Sequence, residues 1–114
     1  RSRGLGDVYK RQDYAVPVAR DVASGAAERG VLVCGTGIGM AMAADKVPGI
    51  RAANVVRADF AVLCREHNDA NVITLSGRFV TLEENEAILD AFLATDFAGG
   101  RHAGRVAKID ALDK

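Results

Sequence analysis

The stretch VLVCGTGIGMAMAADK, residues 31–46, decides how the rest of the chain is read. Val31–Cys34 is a short, continuous apolar run rich in β-branched residues, which suits a strand buried on both faces of a parallel sheet. Glycines at 35, 37 and 39 follow, and then an alanine-rich run with helical character. A strand passing through a glycine turn into a helix is the first half of a βαβ unit. Ligands of such sheets bind outside the carboxyl ends of the strands, where Cys34 stands. The glycines let the backbone curl closely around a ligand, and the following helix aims unpaired N–H groups and its positive dipole end at the same spot. An anion there is favoured, and so is a thiolate. On this stretch alone, Cys34 fits both a reactive thiol and a small packed residue ahead of a structural turn. The glycine spacing is GxGxG, not the GxGxxG of dinucleotide-binding turns, and ANVV runs into Arg57 where an acidic residue would be needed. Both departures speak against a bound nucleotide.

Working outward, the alternation of strands and helices continues. DYAVPVARDVASGAAERG (13–30) reads as a helix with Val18, Val22 and Ala26 inward, Pro17 in its first turn, a regular start near Val16 and Gly30 as C-cap. GVLVCG (30–35), IRAANVV (50–56) and NVITLS (71–76) read as strands. IGMAMAADK (38–46) reads as a helix stopped by VPG, and ADFAVLCREHND (58–69) as a helix whose inward stripe is Phe60, Leu63, Cys64 and His67. TLEENEAILDAFLAT (81–95) carries a capping box, Thr81 with Glu84, and an apolar face of Leu82, Ile88, Leu89 and Phe92. RHAGRVAKIDALDK forms a last helix after GG at 99–100. The pattern predicts an α/β fold, one doubly wound parallel sheet with helices on both faces.

Composition sets the outer limits. The 114 residues suit one domain, and a formal net charge of +0 carries no electrostatic footprint for nucleic acid or a membrane surface. No apolar run reaches the roughly 20 residues of a membrane span, and no signal peptide is evident, so a cytoplasmic location is expected. Cys34 and Cys64 make no disulfide framework, and no metal-ligand spacing appears among the two cysteines and two histidines. Residues 1–12, RSRGLGDVYKRQ, have no apolar periodicity and read as loose. Within them DVYKRQ resembles the translation of a transposase recognition end used in sequencing libraries, so the domain is taken to be 13–114.

Several polar residues have plain readings. His67 suits a satisfied interface histidine, Asn68–Asn71 turn chemistry, and Cys64 the core. Arg101, His102 and Arg105 suit a solvated helix start, yet Arg101 and Arg105, at i and i+4, share a helix face, so with His102 they can also clamp a phosphate.

VLVCGTGIGMAMAADKVPGIRAA, REHNDANVITLSGR and FAGGRHAGRVAKI together resemble ribose-5-phosphate isomerase, type B, over Asp13 to about Ile109. The resemblance implies a flavodoxin-like fold with strand order 2-1-3-4-5 and a metal-independent isomerase of ribose 5-phosphate and ribulose 5-phosphate. It also implies a homodimer or dimer of dimers, with the active site shared between subunits and no cofactor. Cys34 is then the general base, Thr36 and the backbone of Gly35, Gly37, Ile38 and Gly39 the anion hole, and His67 the ring-opening residue, with Asn68 beside it. Arg101 and Arg105 become phosphate ligands, assisted by His102 and by Arg78. Asp45 stands where the family usually has asparagine and receives no role. The resemblance further implies that the first strand–helix–strand unit is missing, with an Asp-His pair that belongs to the site. The chain by itself is then expected to be an inactive, poorly folded fragment, with Val31–Cys34 an open edge. Isomerases of galactose 6-phosphate, allose 6-phosphate or tetrulose phosphates are the neighbouring alternatives, and a nucleotide or flavin module the alternative from another class.

Overall fold

The computed structural model describes residues 11–113, so the expectation that residues 1–12 are loose falls largely outside it. Three parallel strands form the sheet: β1 (Gly30–Cys34), β2 (Ala52–Asn54) and β3 (Val72–Ser76). Their spatial order is β1-β3-β2. The order 2-1-3-4-5 would have put the IRAANVV strand in the middle, and this is corrected: the last strand in sequence lies between the other two. Burial accounts for it. Every residue of β3 is buried, whereas β2 is three residues long and partly open, so β3 suits the centre and β2 an edge. The register pairs Gly30 with Val72, Cys34 with Ser76 and Ala52 with Val72.

Successive strand residues point to opposite faces, and each face has its own core. On one side α1 (Arg11–Ala23) and α2 (Ile38–Ala44) enclose Ala15, Ala19, Val22, Leu32, Met40, Ala44, Ile50 and Val72. On the other, α3 (Ala58–Glu66) and α4 (Leu82–Ala94) enclose Ala61, Cys64, Ile73, Leu75, Ile88 and Phe92. The helices on both faces are those the pattern predicts, and Cys64 is core as expected. The capping box of α4 is present, with Glu84 N–H donating to Thr81 Oγ1 and Thr81 N–H to Glu84 Oε1.

Three helix readings change. α1 begins at Arg11, ahead of the start expected near Val16, and runs through Pro17. Fully buried Ala15 and Ala19 hold the turns on either side of a proline that cannot donate an N–H. The helix ends at Ala23, with Gly25 at φ +86°, so Gly25 terminates it and Gly30 opens β1 instead; Ala26 is exposed outside the helix. In α3 the buried residues are Ala61, Cys64 and Arg65, while Phe60 and Leu63 are 54% and 40% exposed. Ala61 admits α4 closely, and Arg65 is buried because its guanidinium donates to Thr95 O, Ala70 O and Asp69 Oδ1. Leu82 of α4 is likewise exposed, leaving Ile88 and Phe92 to fill the interior.

α5 (His102–Asp110) is fastened to the loop between α2 and β2. Arg51 pairs with Asp110 at 2.8 Å and also reaches Asp69, which sits at φ +48° in the turn after α3. Asp113 accepts from Gly49 N–H. Asp45 closes the end of α2 and accepts from Ala52 N–H at 2.7 Å, which ties α2 to β2. Burial, opposed by the Ala52 hydrogen bond and reinforced by Asp113, raises its carboxyl above the ordinary value. Asn71 accepts from Arg51 N–H and donates to Gly49 O, so it ties the entry of β3 to the loop before β2 and does not serve the local turn chemistry read for Asn68–Asn71.

Phe92 is wholly buried between α4 and the sheet. Phe92→Ala is expected to lower the unfolding free energy by about 3–5 kcal/mol, read from urea denaturation followed by circular dichroism. A loss below about 1 kcal/mol would show that this side of the sheet is not a tightly packed core.

Candidate functional site

The expected site residues fall into two groups at opposite ends of the sheet. The first is built on the carboxyl ends of β1 and β3. Gly77 N–H donates to Cys34 O and Arg78 N–H to Gly35 O, so the ladder continues past the strands and holds the glycine loop. Cys34 is half-buried, and its Sγ accepts the Gly37 N–H at 3.1 Å. Such a bond strengthens when the sulfur carries charge. Thr36 Oγ1 accepts the Ile38 N–H at 3.1 Å, which closes the first turn of α2. Gly37 has φ +85°, and an added Cβ would run into Asn54 Nδ2 and come within 3.0 Å of Leu75 O. The position therefore requires glycine on both backbone and packing grounds. Gly35 lies under the Arg78 guanidinium, whose Cζ is 3.7 Å from where its Cβ would be. Cys34, Gly35, Thr36, Gly37, Ile38, Gly39 and Arg78 are thus one constellation.

The second group surrounds the start of α5. His67, at the C-terminus of α3, stacks on His102 with ring centroids 4.2 Å apart and planes at 15°. His102 is buried and its Nδ1 has no hydrogen-bond partner. Arg101 and Arg105 are exposed and press on the same imidazole electrostatically. Asn68 lines a cavity of about 620 Å³ with Arg51, Cys64, Ile109 and Leu112; no other expected site residue lines it. His67 belongs to the connection that enters β3 at Val72, which pairs with Gly30, whereas Cys34 pairs with Ser76. A five-residue strand separates these ends by roughly 13 Å. Within one chain, Cys34 and the His67–His102 pair do not meet.

Four side chains shape the first group without having been singled out from the sequence. Asn54 Nδ2 donates to Thr36 O and to Thr74 Oγ1, each at 3.0 Å. Ser76 Oγ donates to Gly35 O at 2.7 Å and accepts from Phe79 N–H. Asn85 Nδ2 in turn holds Ser76 O. The signal for Asn54 was its place, a polar residue at the carboxyl end of the strand after the glycine loop; Thr74 and Ser76 looked like ordinary strand residues. Among the described residues, no three His, Cys, Asp or Glu side chains gather to hold a metal, and no helix is long and apolar enough to cross a membrane.

A family model described as Ribose/Galactose Isomerase matches residues 7–109. A probable ribose-5-phosphate isomerase B of Mycoplasma pneumoniae is 50% identical over 102 residues, covering 90% of this chain and 67% of its own length. The chain therefore spans about two thirds of that relative. The structure of a Clostridium thermocellum ribose-5-phosphate isomerase B superimposes with TM-score 0.93 at 45% identity, covering 98% of this chain and 75% of that one. A Mycoplasma genitalium ribose-5-phosphate isomerase B solved with bound ribulose-5-phosphate gives TM-score 0.86 at 46% identity, covering 94% and 74%.

Burial lowers the His102 imidazole below the ordinary histidine value, and His67, Arg101 and Arg105 add to it against a smaller opposing pull from Glu66. The folded state thus resists a proton that the unfolded chain takes up near pH ~6.5. The unfolded state then binds more protons, so this contribution to stability is complete above that pH and is lost as the pH falls below it. With only two histidines, ¹H–¹⁵N spectra of the imidazoles resolve His102 directly. Its midpoint is expected below the ordinary value and is expected to rise in Arg105→Ala; a midpoint above the ordinary value would contradict this electrostatic picture.

Proposed function

The chain belongs to the ribose/galactose isomerase family, and from that premise we propose that it carries the proton-transfer and phosphate-binding residues of an isomerase of ribose 5-phosphate and ribulose 5-phosphate. The observation that supports this most is the loop at Cys34, where a half-buried thiol at a strand's carboxyl end accepts a backbone N–H from the same glycine turn. The reaction needs a base that takes a proton from one carbon and returns it to the next, and a site for the oxyanion formed between. In the aldose-to-ketose direction, Cys34 Sγ removes the C2 proton of the open-chain sugar. The C2 electron pair forms the C1–C2 double bond, and the C1 carbonyl oxygen becomes the enediolate oxygen. Thr36 and the loop Gly35–Gly39 face that oxygen. The C2 hydroxyl then gives its proton to the C1 oxygen and its O–H electron pair forms the C2 carbonyl, while the electrons of the C1–C2 double bond take the proton back from sulfur at C1. Atoms and electrons balance without an oxidant or a metal.

His67 opens the furanose by moving the anomeric proton, with Asn68 on the sugar oxygens. Arg101 and Arg105, with His102, take the phosphate dianion, while Arg78 stays with the Cys34 group. Since these sets lie at opposite ends of one sheet, a homodimer or dimer of dimers completes each site with His67, Arg101 and Arg105 from the second subunit. A thiol base calls for a reducing compartment, which agrees with the cytoplasm. A nucleotide or flavin module fits less well, because the glycines are spaced GxGxG and the strand after them runs into Arg57 with no acidic residue for a ribose.

Three experiments test this on a version of the protein lengthened to match its relatives, of which the chain spans about two thirds; the chain as it stands is expected to be inactive. Cys34→Ala is expected to lower kcat about 10²–10⁴-fold with little loss of substrate binding. Mixing it with His67→Ala under conditions of subunit exchange is expected to restore activity through hybrid dimers. Unchanged kcat in Cys34→Ala overturns the base assignment, and no recovery despite exchange overturns the shared site. Arg101→Ala and Arg105→Ala are each expected to raise KM about tenfold or more with a smaller effect on kcat; an unchanged KM places the phosphate elsewhere.

A further inference from the structure

Asn54 has no place in the reaction as derived, yet its carboxamide meets the glycine loop at the peptide that serves the sulfur. Its Nδ2 donates to Thr36 O at 3.0 Å and to Thr74 Oγ1 at 3.0 Å, with Thr74 O at 3.4 Å. Thr74 is wholly buried in the central strand, so it is a fixed anchor. Thr36 O and Gly37 N–H belong to one planar, trans peptide unit and point in opposite directions. Holding the carbonyl toward Asn54 therefore turns the N–H toward Cys34, whose Sγ it meets at 3.1 Å. The α-carbon of Gly37 lies against Asn54 Nδ2 so closely that a Cβ there would collide with it. The absence of a side chain at Gly37 is what lets the carboxamide reach the loop.

We propose that Asn54 is a positioning residue: anchored on Thr74, it fixes the orientation of the Thr36–Gly37 peptide and so aims the Gly37 N–H at the Cys34 sulfur. This rests on the reading of Cys34 as the reactive group and adds a strand-borne side chain that sets its environment. Arg78 brings a guanidinium beside the loop, across Gly35. Neither α2 over Ile38–Ala44 nor β3 over Val72–Ser76 carries a charged residue, and α1 brings the Tyr14 phenol to the core cluster against which Cys34 packs. Asn54 therefore acts through backbone geometry and not through a competing charge.

The test uses the chain as it is and no sugar phosphate, so its outcome is independent of the isomerase assay. Iodoacetamide labelling of Cys34 is followed by mass spectrometry of its peptide, and Gly37 amide exchange by NMR. The Gly37 N–H bond supports the charge that the sulfur carries as it attacks the label, so losing it slows the reaction. In Asn54→Ala, and in Asn54→Leu, which keeps the approximate shape and loses the donors without adding charge, labelling at pH 7 is expected to slow about threefold. Gly37 exchange is expected to speed up roughly tenfold. Thr74→Val is expected to move both readouts the same way, and Thr74→Ser, which keeps the hydroxyl, to restore them. Asn71→Ala removes two comparable hydrogen bonds at the far end of the sheet; it is expected to lower Tm and leave both readouts unchanged. Wild-type labelling and exchange in folded Asn54→Ala and Asn54→Leu overturn the proposal, as does an Asn71→Ala variant that reproduces their effects.

Discussion

The parallel pairing of β1 with β3, from Gly30–Val72 to Cys34–Ser76, is the constraint on which the rest depends. Together with the β2–β3 pairing it makes β3 the central strand, buried along its whole length, while Val33 on the edge strand β1 stays exposed. Its ladder does not stop at the last strand residues. Gly77 N–H reaches Cys34 O and Arg78 N–H reaches Gly35 O, so the turn after β3 and the turn after β1 form one rigid edge. Ser76 Oγ, bonded to Gly35 O, fastens it once more. A glycine turn free of such fastening would sample many conformations, because glycine has the most backbone freedom to lose. Here the freedom is removed by neighbours, and what remains is a loop with its N–H groups in fixed directions.

Side-chain amides perform much of this fastening. Asn54 holds the glycine loop, Asn85 holds the carbonyl of Ser76, and Asn71 joins the entry of β3 to the loop before β2. Each offers a donor and an acceptor without charge, so it can serve half-buried backbone groups without the desolvation that an ionic side chain would suffer. Where arginines do this, at 51 and 65, each is neutralised by Asp69 and shared with backbone carbonyls. The left-handed conformation of Asp69 lets one carboxylate face both guanidinium groups. That turn also sets the place of His67, so the ionic network and the stacked histidines belong to one assembly at the far end of the sheet.

Although the chain as a whole is neutral, its cations are not evenly used. Arg51 and Arg65 are paired inside, whereas Arg101 and Arg105 stand exposed at the head of α5 beside a histidine held below its ordinary value. Two such regions, a thiol loop and a cationic helix start, are separated by the length of the sheet. A site that needs both must draw on two chains, which is why the dimer enters as part of the proposed chemistry.

Local sequence determined a good deal. The strand–glycine–helix signature around Cys34, the alternation that specifies helices on both faces, the capping box at Thr81 and Glu84 and the pair Arg101/Arg105 are all short-range patterns, written within a few residues of one another. Tertiary structure decided what such patterns leave degenerate. In α3 two faces have the same helical spacing, and the more apolar one, with Phe60 and Leu63, is the exposed one. Arg65 turned inward because carbonyls from distant segments satisfy it. Pro17 suggested a late helix start, and the burial of Ala15 and Ala19 overrode it. The strand order followed from which strand could be buried along its whole length, a comparison among strands that no window of sequence contains. Asn54 was legible only as a residue at a strand end. Its partners, Thr36 and Thr74, lie 18 and 20 residues away in sequence and meet it only when three strands and a turn are assembled.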